Sequence, residues 1–228
     1  MSDREAILSR IREALTIVAP QPGTHDHRPL SSARRAASDA KEWLPATGGS
    51  PDEWLELFRK NSLELKAQFL TADGPAAACA DVAKLAAAED WQHLATHAGE
   101  LSSGAAAACG LPVLTLSEGY DVNELERCDA GITECDALVA QTGSVLLTAR
   151  SGGGRALSVL PPHHVVIARR DQLVPDLPSA YSLLHAKYGP QRWPSMITLI
   201  TGPSRTGDIE RILVLGAHGP RKLTIVMC

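Results

Sequence analysis

A layered α/β fold built on a largely parallel sheet is what this chain predicts, on three observations. Between residues 51 and 117, short apolar runs ("KAQFLTA", "QHLATH", "PVLTLS") alternate with stretches of helical period. Beyond residue 137 that alternation gives way to paired apolar runs across a turn, "ALVAQTGSVLLTA". The third is size: 228 residues, 44% hydrophobic and 21% charged, can hold one sizeable core, or a core plus a small appendage.

Taken in order, residues 3–18 read as a helix, because Ile7, Leu8, Ile11, Leu15 and Val18 recur at three- and four-residue spacing behind Ser2 or Asp3 as a cap. The following "PQPGTHDHRPLSS" is rich in turn formers and reads as a linker, so residues 1–50 form an N-terminal helix and linker and residues 51–228 the body. "SPDEWLELFRKNSLEL" opens with Pro and two acids and reads as a helix. It is followed by a strand, an Ala-rich helix ("GPAAACADVAKLAAAED"), a strand, a small-residue helix ("SSGAAAACGL") and a strand. After the hairpin come a glycine turn ("RSGGGR"), a strand behind Pro161-Pro162 and a helix that ends at Gly189. The strand "SMITLIT", a helix "DIERILVLG" and the strand "KLTIVM" complete the chain.

Composition excludes several function classes. A net charge of −4 leaves no basic footprint for nucleic acid. No apolar run approaches the roughly 20 residues of a membrane span, and the N-terminus lacks a signal peptide's apolar block, so a cytoplasmic location is expected. Five cysteines without a C-x-x-C argue against a disulfide framework, a zinc ribbon or an iron–sulfur cluster held by this chain. His93 and His97 stand four apart in a predicted strand with no Glu after His93, against a zinc-protease helix, and no G-x-S-x-G is present. Residues 118–136 hold seven acids against one base and read as a solvated face or a docking surface for a basic partner.

Two stretches concentrate chemistry. In "LITGPSRTGDIE" a strand runs into Gly202-Pro203, and a helix is expected from Thr206, with Asp208 and Glu210 in its first turn. A capped helix explains Thr206 and the acids but leaves Arg205 over. Free N–H groups and a guanidinium at a strand-to-helix turn suit a carboxylate, the acids counting against a highly charged phosphate. In "ARSGGGRALSVLPPHH" the glycines fit a flexible hairpin tip between Arg150 and Arg155 and match no nucleotide fingerprint. His163 and His164, adjacent in a strand, point to opposite faces, so at most one faces a site.

Together, "AGITECDALVAQTGSVLL" (130–147), "LSVLPPHHVVIARRDQLVP" (157–175), "ITGPSRTGDIERILVLGAHGPRKL" (200–223) and the opening "ILSRIREAL" resemble the lactate-utilisation protein C family, the LUD-domain proteins. The resemblance implies a Rossmann-like sheet decorated by hairpins, as in the NagB/RpiA/CoA-transferase superfamily. It further implies a role in oxidising L-lactate to pyruvate, beside partner subunits that carry iron–sulfur clusters, this chain binding no cofactor itself. Where the family commonly carries Glu, this chain has Gln141, which keeps shape and hydrogen bonding but cannot act as a base or nucleophile.

On this reading a small carboxylate is clamped by Arg205, helped by Ser204 and Thr206. His218 orients or protonates a bound oxygen, and Gln141, Thr142 and Gly143 form the opposite wall, with Ser144 completing their turn. Two alternatives stand beside it. One is a stand-alone enzyme of the superfamily acting on a phosphosugar, acyl-CoA or folate-like substrate. The other is a structural or regulatory subunit that uses the N-terminal helix and the acidic face.

Overall fold

The computed structural model describes residues 3–16, 45–116, 120–189, 191–206 and 214–228. It divides into two units, Met1–Pro45 and Ala46–Cys228. In the first, α1 spans Asp3–Thr16. Ser2, Val18 and the linker lie outside the described residues.

The second unit opens with α2 (Pro51–Glu64), fixed at its start by a capping box in which Ser50 and Glu53 satisfy each other's backbone N–H groups. Then follow β1 (Gln68–Thr71), α3 (Pro75–Ala88), β2 (Leu94–His97), α4 (Glu100–Ala108) and β3 (Val113–Leu116). A short α5 (Val122–Glu126), capped by Asp121, leads into β4 (Ala130–Glu134). The hairpin strands β5 (Ala137–Val139) and β6 (Ser144–Thr148) precede β7 (His163–Ala168), β8 (Leu173–Val174) and α6 (Leu177–Tyr188), which stops at Gly189. The last strands are β9 (Ile197–Ile200), β10 (Arg205–Thr206), β11 (Val214–Leu215) and β12 (Lys222–Met227).

Six strands form one parallel sheet in the order β1-β12-β7-β4-β2-β3. This is the largely parallel, helix-flanked α/β architecture that the alternation predicts. Against one face, the small side chains of α3 and α4 (Ala78, Val82, Ala105, Ala106) let both helices approach Ile132, Val165 and Val226 closely. Against the other lie α2, through Phe58, and a second sheet, β8-β5-β6-β9. Alternation along the hairpin serves two cores. Leu138, Val145 and Leu147 face the parallel sheet, while Ala137, Val139 and Leu146 face Ala180 and Leu184 of α6. The hairpin turn needs Gly143, which has φ 64° and whose added Cβ would lie 2.8 Å from Asn61 Cβ.

Three sequence expectations are corrected. The predicted helix 208–216 gives way at its end to β11, which pairs antiparallel with β10 (Arg205 opposite Leu215, Thr206 opposite Val214); residues 207–213 lie outside the described residues. Thr206 is therefore a strand residue, not a helix cap. The acidic stretch is a solvated face only in its first part, where Asp121, Glu124 and Glu126 are exposed. Buried β4 runs through it, Asp129 accepts from the N–H groups of Gln92 and His93, and Glu134 accepts from Leu101 and Ser102 at the start of α4. The glycine turn is no free tip, since Gly152 is buried against Leu147.

Asp136, at the junction of β4 and β5, has a fully buried side chain. Lys187 Nζ and Tyr188 Oη each donate to its Oδ1 at 2.6 Å, and Ser151 Oγ donates to Oδ2 at 2.6 Å. Burial pushes this carboxyl up, but those donors outweigh it and hold it below the usual carboxylate range. The cluster ties the two sheets to the end of α6.

Strand β7, buried along its whole length, begins with two polar rings. His163 Nε2 lies 2.8 Å from Thr224 Oγ1 of β12, and His164 Nε2 lies 2.8 Å from Thr133 Oγ1 of β4. Desolvation brings the His163 imidazole down to about 4 and that of His164 to about 3, so both are neutral near pH 7.

Two predictions follow from these buried groups. Lys187→Met leaves the Asp136 carboxylate without its cation, and urea unfolding is expected to show a loss of about 3 kcal/mol; an unchanged midpoint would contradict a linking role. The histidine values lie below the ordinary 6.5, so the unfolded chain takes up protons first as pH falls. Stability from the neutral rings is therefore complete above about pH 6.5 and is lost towards pH 4. The double variant His163→Gln/His164→Asn should show a shallower acid slope of urea midpoint than the parent, and equal slopes would refute the assignment.

Candidate functional site

Two loop segments are knitted together by backbone hydrogen bonds. Ser204 N donates to Pro220 O at 2.8 Å, and Gly216 N donates to Ser204 O at 2.9 Å. Arg221 N donates to Pro162 O at 2.8 Å, anchoring the second segment beside the start of β7. On the first segment Thr201 Oγ1 lies 2.8 Å from Ser144 Oγ, tying the end of β9 to the hairpin. Gly202, at φ 81°, turns the chain where an added Cβ would lie 2.7 Å from the Leu65 carbonyl oxygen.

Between these segments lies a cavity of about 240 Å³ lined by Ser158, His164, Thr201, Ser204 and His218, with Leu199, Pro203 and Leu223 among its apolar walls. Its polar groups are hydroxyls and two imidazoles. His164 is buried, whereas His218 on its glycine-flanked turn is exposed. Such a set offers hydrogen bonds to a small oxygen-bearing ligand without placing a fixed cation against it.

The predicted residues divide. Ser204 and His218, far apart in sequence, share this cavity. Arg205 does not line it: the residue is exposed on the β10–β11 ribbon and makes no ion pair among the described residues. Thr206 lies one residue farther along that ribbon. Gln141, Thr142 and Gly143 sit in the hairpin turn against the end of α2, where Asn61 Nδ2 donates to the carbonyls of Ala140 and Gln141 at 2.9 and 3.0 Å. Thr142 Oγ1 is buried there with no hydrogen-bond partner among the described residues. From that turn it is Ser144 that reaches towards the cavity, through Thr201.

Sequence reasoning assigned no role to Ser158 and left open which histidine of the pair faces a site. The alternation of β7 separates them as expected, yet each lines a cavity. His163 borders a basic hollow of about 230 Å³ with Lys66, Glu89, Arg221 and Lys222. A larger hollow of about 370 Å³ lies beside edge strand β3, lined by His93, Glu124 and Arg127, and none of the predicted site residues lines it.

The carboxyl ends of β2 and β4, where parallel sheets commonly receive ligands, are occupied by the chain itself. Glu134 Oε1 takes the N–H groups of Leu101 (2.8 Å) and Ser102 (3.3 Å), and Glu134 N donates to His97 Nε2 at 3.3 Å. Burial lowers the His97 imidazole against the opposing pull of Glu134. Among the described residues no group of three or more His, Cys, Asp or Glu is arranged to hold a metal ion, and no helix is long and apolar enough to cross a membrane.

The chain is similar to several known proteins. The "Lactate utilization protein C" of Macrococcus caseolyticus is 41% identical over 103 residues, 45% of each chain. That of Halalkalibacterium halodurans is 41% identical over 100 residues, 43% of this chain and 44% of the relative. That of Deinococcus radiodurans is 34% identical over 128 residues, 52% of this chain and 59% of the relative. The chain thus spans about half the length of the curated relatives it matches. A crystal structure of a DUF162 family protein from Deinococcus radiodurans shares the fold, with a TM-score of 0.60 at 24% identity over 79% of this chain and 99% of that one. The LUD domain model matches residues 55–228, covering the two segments that close the cavity and both sheets, and the chain belongs to that family.

Proposed function

We propose that this chain serves lactate utilisation by holding a small carboxylate, lactate or pyruvate, in the cavity between the 201–204 and 218–220 segments. The observation that carries the reading is the convergence of Ser204, His164 and His218 on one hollow of about 240 Å³. Its support from kinship is the matched stretch shared with relatives named for lactate utilisation. In this reading Ser204 and Thr201 donate to the carboxylate, and His218, open to solvent, orients or protonates the oxygen on the second carbon. Arg205, exposed on the adjoining ribbon, attracts the anion to the rim rather than clamping it. Electron transfer falls to iron–sulfur partner subunits, and the complex is cytoplasmic.

Isothermal titration of the full chain with L-lactate and with pyruvate tests the proposal. Ser204→Ala is expected to weaken binding at least about tenfold, the loss of one hydrogen bond to a charged carboxylate. Arg205→Ala is expected to weaken it chiefly at low ionic strength. Heats of dilution only, for both acids, would sink the carboxylate reading.

A further inference from the structure

Strand β4 carries a glycine, Gly131, between Ala130 and Ile132, both fully buried. A glycine inside a strand gives up side-chain packing and marks a place where another backbone comes close. Here that backbone belongs to residues 157–161, in the loop between β6 and β7. A Cβ added at Gly131 would lie 2.5 Å from the Leu157 carbonyl oxygen and 3.1 Å from Pro161 Cγ. Gly131 stands opposite His164 in the β4–β7 register, so the loop is seated on the face of the sheet that His164 shares with the cavity. The same loop meets the other walls: a Cβ added at Gly219 would lie 3.3 Å from Ser204 Cβ and 4.0 Å from the Val159 carbonyl oxygen.

What the loop presents there is Ser158. The residue lines the cavity and is only 5% exposed. Its hydroxyl has no hydrogen-bond partner among the described residues, yet it is not sealed off as Thr142 Oγ1 and His164 Nδ1 are, and it keeps accessible surface. A buried residue whose one side-chain polar atom is both unpaired and reachable leaves a hydrogen bond to be made by whatever fills the cavity. The other lining hydroxyls differ. Thr201 is exposed and paired with Ser144 Oγ, and Ser204 is half-buried.

We infer that Ser158 recognises the oxygen on the second carbon of the bound acid, selecting 2-hydroxy and 2-oxo acids over unsubstituted ones, with Gly131 as its positioning residue. The inference rests on the carboxylate reading of the same cavity and adds to it the residue that sets specificity. Charge decides which end of the ligand goes where. Among the described residues no Lys or Arg lines the cavity. A carboxylate beside buried Ser158 would be desolvated without a cation, whereas a hydroxyl or keto oxygen there needs one neutral hydrogen bond. The carboxylate therefore stays at the outer end with Thr201 and Ser204, where Arg205 Nη2 comes within 3.5 Å of a Cβ added at Gly202. The second-carbon oxygen then lies between Ser158 and His218. A serine hydroxyl donates to a keto oxygen and either donates to or accepts from a hydroxyl, so both members of the lactate–pyruvate pair are served. An acid lacking that oxygen leaves Ser158 unpaired and is disfavoured.

The test is isothermal titration of the full chain with pyruvate, L-lactate and propionate, which has the same carbon skeleton without the second-carbon oxygen. The parent should bind the first two more tightly than propionate. Ser158→Ala should weaken pyruvate and L-lactate about fivefold and leave propionate within about twofold. Equal losses for all three acids would show that Ser158 only supports the fold, and no loss for any would show that it makes no ligand contact; either overturns the inference. Gly131→Ala should weaken pyruvate binding in the parent and add little to Ser158→Ala, because it acts by displacing the loop that carries Ser158. The same added loss in both backgrounds overturns the positioning role, and the Ser158 comparison decides the specificity whether or not Gly131→Ala folds. A parent that binds the three acids equally overturns the inference and leaves the carboxylate reading standing. A parent that binds none of them removes both.

Discussion

Strand β7 lies between β4 and β12 with every side chain buried, yet its first two residues are polar rings. That constraint organises what surrounds it. Each ring must find a partner on the strand beside it, and the parallel register brings Thr133 and Thr224 within 2.8 Å of the two Nε2 atoms. The same register sets Pro162 against Arg221, so the segment carrying His218 folds back over the start of β7. A cavity with an imidazole at its floor is thus a by-product of how the sheet satisfies a polar strand.

Much of this was legible in the sequence, for reasons that can be named. The strand–helix alternation of residues 51–117 rests on periodicity and on Pro and Gly punctuation, and it reads directly into β1 through β3 with α2, α3 and α4. The paired runs around Gly143 announce their hairpin through turn chemistry. β4 was hidden because acids crowd its neighbourhood, and their roles as backbone acceptors and as the partner of Lys187 appear only once the chain is folded. The end of "DIERILVLG" has a helical period, but Val214 and Leu215 pair with Arg205 and Thr206, a tertiary contact that overrides local propensity.

The site shows the same division. Ser204 and His218 were named from motif chemistry, and the fold brings them together. Arg205 was named from its charge, yet it stands exposed on β10 and does not line the cavity, although its Nη2 comes near Gly202, which does. The hairpin turn holding Gln141 packs on α2, and Gln141 is buried. A carboxylate in that place would need to be desolvated, so a neutral amide fits the surroundings.

The cavity takes one wall, Thr201, from the end of the four-stranded sheet and another, His164, from the six-stranded sheet. Its width therefore depends on how the two sheets are placed against each other, and their junction between β4 and β5 carries the buried Asp136, paired with Lys187. Re-engineering the hollow for a bulkier acid would mean moving one sheet against the other as well as trimming the lining.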